Sequence, residues 1–338
     1  MNCRLIMLLA MLVIILACRQ QQNSESENYM RISDNGVARV IEIDSMEVRN
    51  PFIFLDKENL TYYMIGDGGD VWTSNDMKRW QGPYNVLHRE TTEGIDKSRI
   101  IAPEIHKYNN RYYLVATLRG VGNDSCKQKH YNAECNVFVA DKIQGPYSRI
   151  SSKRPILVTD TIAQGTTFTT DFYNVGYLIY CTQTACNSTE AINVVRLSEK
   201  CDKQIGEPYT MLSTSDAQWQ GSENSSGIAW FDGPFLFSTR KGRVGMLFAT
   251  EYNGKEALAV AYSKNERGHP LNGPWQIEER PLLTDGYGQA SLLSAIDGTP
   301  LMVLHRKAVY NNKTRYVPHI FEIDTDEYRL KIKREYNY

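Results

Sequence analysis

"APEIHKYNNRYYLVAT", residues 102–117, decides how this chain folds. A short apolar run, a polar turn and a second run rich in Tyr, Leu and Val read as two β-strands joined in a hairpin. The same pattern returns at 50–66 ("NPFIFLDKENLTYYMIG"), 165–181 ("GTTFTTDFYNVGYLIYC"), 233–250 ("GPFLFSTRKGRVGMLFAT") and 289–306 ("QASLLSAIDGTPLMVLHR"). A spacing of about 50–70 residues is that of a whole sheet repeated, not of a helix pair.

The segment after each hairpin recurs as well. "VWTSNDMKRWQGPY" (71–84), "VFVADKIQGPYSRI" (137–150), "NVVRLSEKCDKQIGEPY" (193–209) and "AVAYSKNERGHPLNGPW" (259–275) each give a strand, a polar turn, then Gly-Pro or Glu-Pro before an aromatic. A third and an outer fourth strand per unit make five four-stranded sheets, an all-β five-bladed propeller. Sandwich strands do not return as whole hairpin-plus-turn units, and no segment carries sustained helical periodicity.

The 338 residues carry a net charge of −1 without a basic block, which excludes an electrostatic nucleic-acid binder. Residues 1–18 read as an export signal: Arg4, an apolar run from Leu5 to Ala17, then Cys18. Ile15-Leu16-Ala17-Cys18 resembles a bacterial lipobox, which makes Cys18 the expected lipidation site and the lipid the only expected membrane contact. A periplasmic or surface lipoprotein is therefore expected. Residues 19–37 are a polar tether and 38–338 a single propeller domain. In an oxidising compartment Cys126 and Cys135, which bracket one polar loop, are placed to form a disulfide. No cysteine or histidine spacing matches a metal site.

The innermost strands of a propeller begin around the mouth of its central channel. Here those beginnings bring Asn50, the Ala102–Glu104 stretch, Gln164, Asp232 and the Tyr287–Gln289 stretch to one place, suited to a small rigid ligand such as a sugar. Glu104 is the foremost extra carboxylate there, with a structural acceptor as the bland alternative; Asp67, Asp70 and Glu251 are further candidates by position. Most tryptophans read as wedges between blades. Trp230, two residues before Asp232, is instead expected to touch ligand, as are Tyr287 and Gln289. His106, beside Lys107, reads as a surface residue at a strand edge. No serine stands in a nucleophile elbow, so acyl transfer is unsupported.

The ordered set "IIAPEIHKYNNRYYLVAT", "GEPYTMLSTSDAQW", "DGPFLF" and "LNGPWQIEERPLL" resembles glycoside hydrolase family 43, closest to its arabinan endo-1,5-α-L-arabinosidase branch. The resemblance implies inverting hydrolysis of arabinose- or xylose-containing oligo- or polysaccharides by a monomer that needs no cofactor. A carboxylate activates water, a carboxylic acid protonates the leaving oxygen, and a third carboxylate tunes the acid. The base position falls on Asn50, the modulator on Gln164 and the acid on Asp232. A histidine that lies near a central ion in the family is replaced by Tyr287, which leaves a central calcium in question. Loss of the base removes a factor of about 10²–10⁴ in rate. Without the modulator, Asp232 is expected near its ordinary pKa of about 3.9, ionised at neutral pH. The residues themselves thus read as a sugar-binding site without turnover.

Overall fold

The structure, a computed structural model, describes residues 31–32, 37–87, 97–119, 133–151, 156–157, 162–185, 188–217, 219, 230–265, 270–325 and 328–338. Five antiparallel sheets succeed one another along the chain, as the repeats predict. Their innermost strands are Phe52–Asp56, Ile100–Tyr108, Ile162–Thr170, Asp232–Ser238 and Tyr287–Ser294. Each is followed, moving outward, by the next three strands in sequence. Blade 1 alone is enlarged, because Arg31–Ile32 and Arg39–Glu42 both pair with its outer strand Arg79–Asn85.

The turns are written in residue types. Asn109-Asn110, Asn253-Gly254 and Asn311-Asn312 have positive φ at both positions, and each joins paired neighbours (Tyr108 with Arg111, Tyr252 with Lys255, Tyr310 with Lys313). Two left-handed residues in a row match the twist of the flanking strands, and Asn and Gly tolerate that backbone best. The turn at Asn253-Gly254 matters for the site, because it delivers Glu256 to the mouth of the channel.

The core is divided into five seams, one between each pair of adjacent blades. Ile105, Leu114 and Phe138 of blade 2 pack on Ile65 and Val71 of blade 1. Trp219 and Phe231 join blades 3 and 4. The last seam closes the ring: Met64, Met77 and Trp80 of blade 1 meet Leu301, Val303 and Ile320 of blade 5. No strand among the described residues crosses from one blade to complete another. Trp80, fully buried, and Trp219, 8% exposed, are wedges as expected.

Cys135, Cys181 and Cys201 are free, buried thiols. Cys126 lies outside the described residues, as do Cys18 and the export segment.

Candidate active site

Four inner strands carry the same irregularity. The register slips by one residue between Ile101 and Glu104, Gln164 and Thr167, Asp232 and Phe235, and Tyr287 and Ala290. Inside three of these bulges Ala102, Gly165 and Gly233 take φ of 47°, 56° and 54°, and Asn50 takes 52° just ahead of the blade 1 strand. A bulge re-aims the residue before it, and such devices gather at functional sites. In this frame the residue equivalent to Gln164 and Asp232 in blade 1 is Arg49, not Asn50. Asn50 itself occupies the kink, which Asn enters more easily than other non-glycine residues.

The kinks also make room. A Cβ on Gly165 would collide with the Asp232 carboxylate, one on Gly233 with the Gln289 side chain, and one on Gly288 with Glu256 and His305. Glycine is thus required where the side chains of the site lie against a neighbouring backbone.

The result is a compact charged cluster assembled from blades 1, 4 and 5. Arg49 has Asp67, Glu256 and Asp232 around it; burial works against its charge, but Asp67, Tyr316 and the other two carboxylates outweigh this and hold its pKa up. The Arg49–Asp67 contact is loose, Nε to Oδ2 at 3.9 Å. Asp67 Oδ1 accepts from the Asn50 side-chain amide at 3.0 Å and from the Ala102 backbone N–H at 2.8 Å. Burial nevertheless raises the Asp67 pKa. His305, fully buried, accepts the Asn50 backbone N–H on Nδ1 at 3.1 Å and turns Nε2 toward Glu256 Oε1 at 3.3 Å. Burial would push Glu256 up, but His305 and Arg49 override it, so its pKa is lowered.

Asp232 behaves differently from expectation. Its pKa is pushed up to about 6, first by burial and then by Glu256 and Asp67, against the opposing pull of Arg49 and the Gly233 N–H. The expectation of an ordinary pKa is corrected, because desolvation in the channel raises it, although a carboxyl with a pKa of about 6 is still mostly ionised at neutral pH. This has a stability consequence. A carboxyl whose folded pKa lies above its unfolded value contributes stability below the unfolded pKa of 3.8, and that contribution is lost as pH rises through about 6. Asp232→Asn escapes the loss, so the variant is expected to be more stable than the parent at pH 7.5, by at most about 3 kcal/mol. The gain should vanish below about pH 4. Thermal unfolding across about pH 3.5–8 checks it, and a variant less stable than the parent at pH 7.5 would refute the tuning described here.

Two buried polar atoms at the mouth, Arg49 Nε and Gln289 Oε1, have no hydrogen-bond partner, and His305 Nε2 has only its 3.3 Å contact with Glu256. Unpaired buried groups are rare, which makes these two candidates for contact with a ligand.

Residues 43–325 match glycosyl hydrolases family 43. The chain belongs to that family. Solved structures agree with the family 43 fold. An endo-arabinase from Bacteroides thetaiotaomicron VPI-5482 is 25% identical, with a TM-score of 0.69 over 84% of this chain and 96% of its own. A thermostable family-43 glycoside hydrolase is 18% identical, with a TM-score of 0.70 over 88% of this chain and 96% of its own. A xylan β-1,4-xylosidase from Bacillus halodurans C-125 is 19% identical, with a TM-score of 0.67 over 89% of this chain and 56% of its own. Among curated proteins none matches.

Within this family 43 propeller the sequence-derived residues divide into two groups. Asn50, Asp232 and Gln289 come together around Arg49, joined by Asp67 from the positional candidates. Gln164, half-buried, stands one residue before Gly165, against whose backbone the Asp232 carboxylate lies. Trp230 is half-buried, its carbonyl accepting from Thr250 Oγ1 at 3.1 Å. Glu104 stays away from the mouth: 2% exposed, it accepts from Thr167 Oγ1 at 2.6 Å and lies 2.8 Å from His106 Nε2. The bland reading of Glu104 is the one the geometry fits. His106 is correspondingly not a surface residue, its ring packed between Phe52 and Phe168. Tyr287 is wrapped by His319 and Phe321 with Arg306 over its ring, so that face is not open to a sugar. Asp70 is paired with Lys97.

The residues at the mouth do not fit the family's central ion. His305 has one ring nitrogen occupied by the Asn50 amide and the other turned to Glu256. Among the described residues no three His, Cys, Asp or Glu side chains are grouped to hold a metal.

Proposed function

We propose that the channel mouth binds arabinose- or xylose-containing oligosaccharides, and that the family's hydrolytic step is blocked at the base. The observation that carries this reading is the Asn50–Asp67 hydrogen bond of 3.0 Å. It fixes an amide, which takes no proton from water, at the base position, and it engages the adjacent Asp67 oxygen as an acceptor. Around it, Arg49 and Gln289 offer unpaired polar atoms that sugar hydroxyls can satisfy. The arabinase and xylosidase neighbours support pentose glycans as the class. Export and tethering through a lipidated Cys18 belong to the same proposal, placing the receptor where polymeric glycan is met.

One observation favours a second reading, in which turnover survives. With a pKa of about 6, Asp232 holds a proton in mildly acidic solution and can donate it to a leaving oxygen. Calorimetric binding and reducing-sugar release, measured on arabinan, arabinoxylan and xylan oligosaccharides, separate the two. Saturable binding without release is the expected result. Release that disappears in Asp232→Asn would make the protein a hydrolase with a rebuilt base, and no binding to any of these glycans would remove the receptor reading.

A further inference from the structure

Past the kinks, the inner strands enclose a second space, a cavity of about 450 Å³ further along the channel. Phe54, Phe168 and Phe235 share its lining with His106, Lys57, Lys107 and several hydroxyl side chains. Carboxylates stand at its rim: Glu58 holds Lys107 at 2.9 Å, and Asp171 follows the lining residue Thr170. The turn that Asp171 opens displays two adjacent aromatic side chains, Phe172 at 82% and Tyr173 at 85% exposure. Their backbone is fixed. Asp171 Oδ1 accepts the Tyr173 and Val175 N–H groups at 2.8 and 2.9 Å, and its Oδ2 accepts from the Tyr177 hydroxyl at 3.1 Å. Blade 2 holds the same turn from the side. The Tyr108 hydroxyl donates to the Asn174 carbonyl at 2.9 Å, and the Asn174 side-chain amide donates to Asn109 at 3.0 Å.

We propose that this far opening of the channel is a second carbohydrate site, for a neutral oligosaccharide, with Phe172 and Tyr173 as its stacking platform. The choice of sugar class rests on the receptor reading above; the place on the molecule does not. Two rings this exposed bury little area and add little to the fold. The hydrogen bonds that lock their turn instead pre-organise a display, so a ligand meets rings whose backbone is already ordered. The lining decides what that ligand is. Its volume falls within the range of about 300–1,000 Å³ usual for small-molecule sites. A wholly apolar ligand would strand His106 and the threonine hydroxyls without hydrogen bonds. Cations and carboxylates stand together at the rim, so neither an anion nor a cation is favoured there. Both signs serve a hydroxyl, which donates to a carboxylate and accepts from an ammonium. A sugar ring combines the two requirements: its C–H face lies on an aromatic ring while its hydroxyls reach the polar groups around it.

The test is a calorimetric titration of the full chain with xylotetraose and with arabinotetraose. Two sites per chain are expected for at least one of these sugars. Replacing both platform rings, Phe172→Ala with Tyr173→Ala, changes only exposed side chains and should weaken one site by at least about tenfold. Phe172→Tyr with Tyr173→Phe keeps both rings and should keep both sites. Gln289→Ala, at the mouth, should weaken the other site and leave the far one within about twofold. A single site that the alanine pair leaves intact would overturn the proposal while sparing the mouth as receptor. A single site that the alanine pair abolishes would support the far site and count against the mouth. Loss of both sites in Gln289→Ala, or no saturable binding of either sugar, would overturn the proposal, the second result together with the receptor reading.

Discussion

Arg49→Met is expected to lower the stability of the fold by about 3 kcal/mol at neutral pH. Arg49 is the cation common to Asp67, Asp232 and Glu256, whereas Lys307 reaches only Glu256 and pulls on it less than Arg49 does. Removing Arg49 leaves three carboxylates facing each other in a partly desolvated channel. The magnitude sits at the low end for a broken buried pair, because 36% of the Arg49 side chain still reaches solvent and the ion pair with Asp67 is long. The deficit should depend on pH in a definite direction. Glu256 has a folded pKa held below its unfolded value, partly by Arg49, so the stability it contributes is present above the unfolded pKa and lost as pH falls through the folded one. Asp67 and Asp232, raised by burial, take up protons on acidification and cease to repel. The difference between parent and variant is therefore largest near about pH 7 and shrinks toward about pH 4. Urea unfolding at several pH values measures it. A pH-independent difference would mean that Arg49 acts through packing rather than charge.

Asn50→Asp, which places an aspartate where the proposed reading puts the base, is expected to fail by itself. The new carboxylate would stand about 3 Å from Asp67 Oδ1, where the amide now donates a hydrogen bond. Two carboxylates at that distance share one proton, so the single variant should lose about 1–3 kcal/mol at neutral pH and hold its new carboxyl protonated. Adding Asp67→Asn reverses the bond instead of breaking it. The new amide can donate to the new carboxylate only from the position of Asp67 Oδ1, the atom that now also accepts the Ala102 N–H at 2.8 Å, so that second bond is given up. The double variant should recover part of the lost stability, a coupling of about 1 kcal/mol in the double-mutant cycle. If glycan reaches the mouth and Asp232 remains the acid, reducing-sugar release should rise by about 10²-fold or more in the double variant and far less in the single one. A double variant as unstable as the single would show that Asp67 does not hold Asn50.

The repeats were legible because a blade is a local object. Each hairpin announces itself within about 17 residues through apolar runs and turn residues such as Asn109-Asn110. Asp232 and Asn50 were legible through the Asp-Gly-Pro and Asn-Pro contexts of inner-strand beginnings. Arg49 was not, because the kink of blade 1 shows only in the left-handed backbone of Asn50, which follows it. The turn residues Asn253-Gly254 were a signal for Glu256, since a tight turn at the mouth end of a blade projects the residues just after it. His305 gave no such signal: its partner is the amide of Asn50, 255 residues away. The raised pKa of Asp232 could not be read either, since desolvation is a property of the assembled channel and not of neighbouring letters.

The seam between the first and last blades carries a consequence for the chain as a whole. Since every blade is an unbroken stretch and no described strand is exchanged across the seam, the covalent order of the blades is a convention that the fold does not enforce. Tyr338, whose pKa is pushed up by burial and then by Asp44, ends beside the segment that leads into blade 1. The cut in the ring thus lies where the two ends of the propeller already meet, and the polypeptide could as well begin at any other boundary, such as the exposed Glu279-Arg280 step between blades 4 and 5. What identifies each blade is the neighbour it seals against, not its position in the sequence.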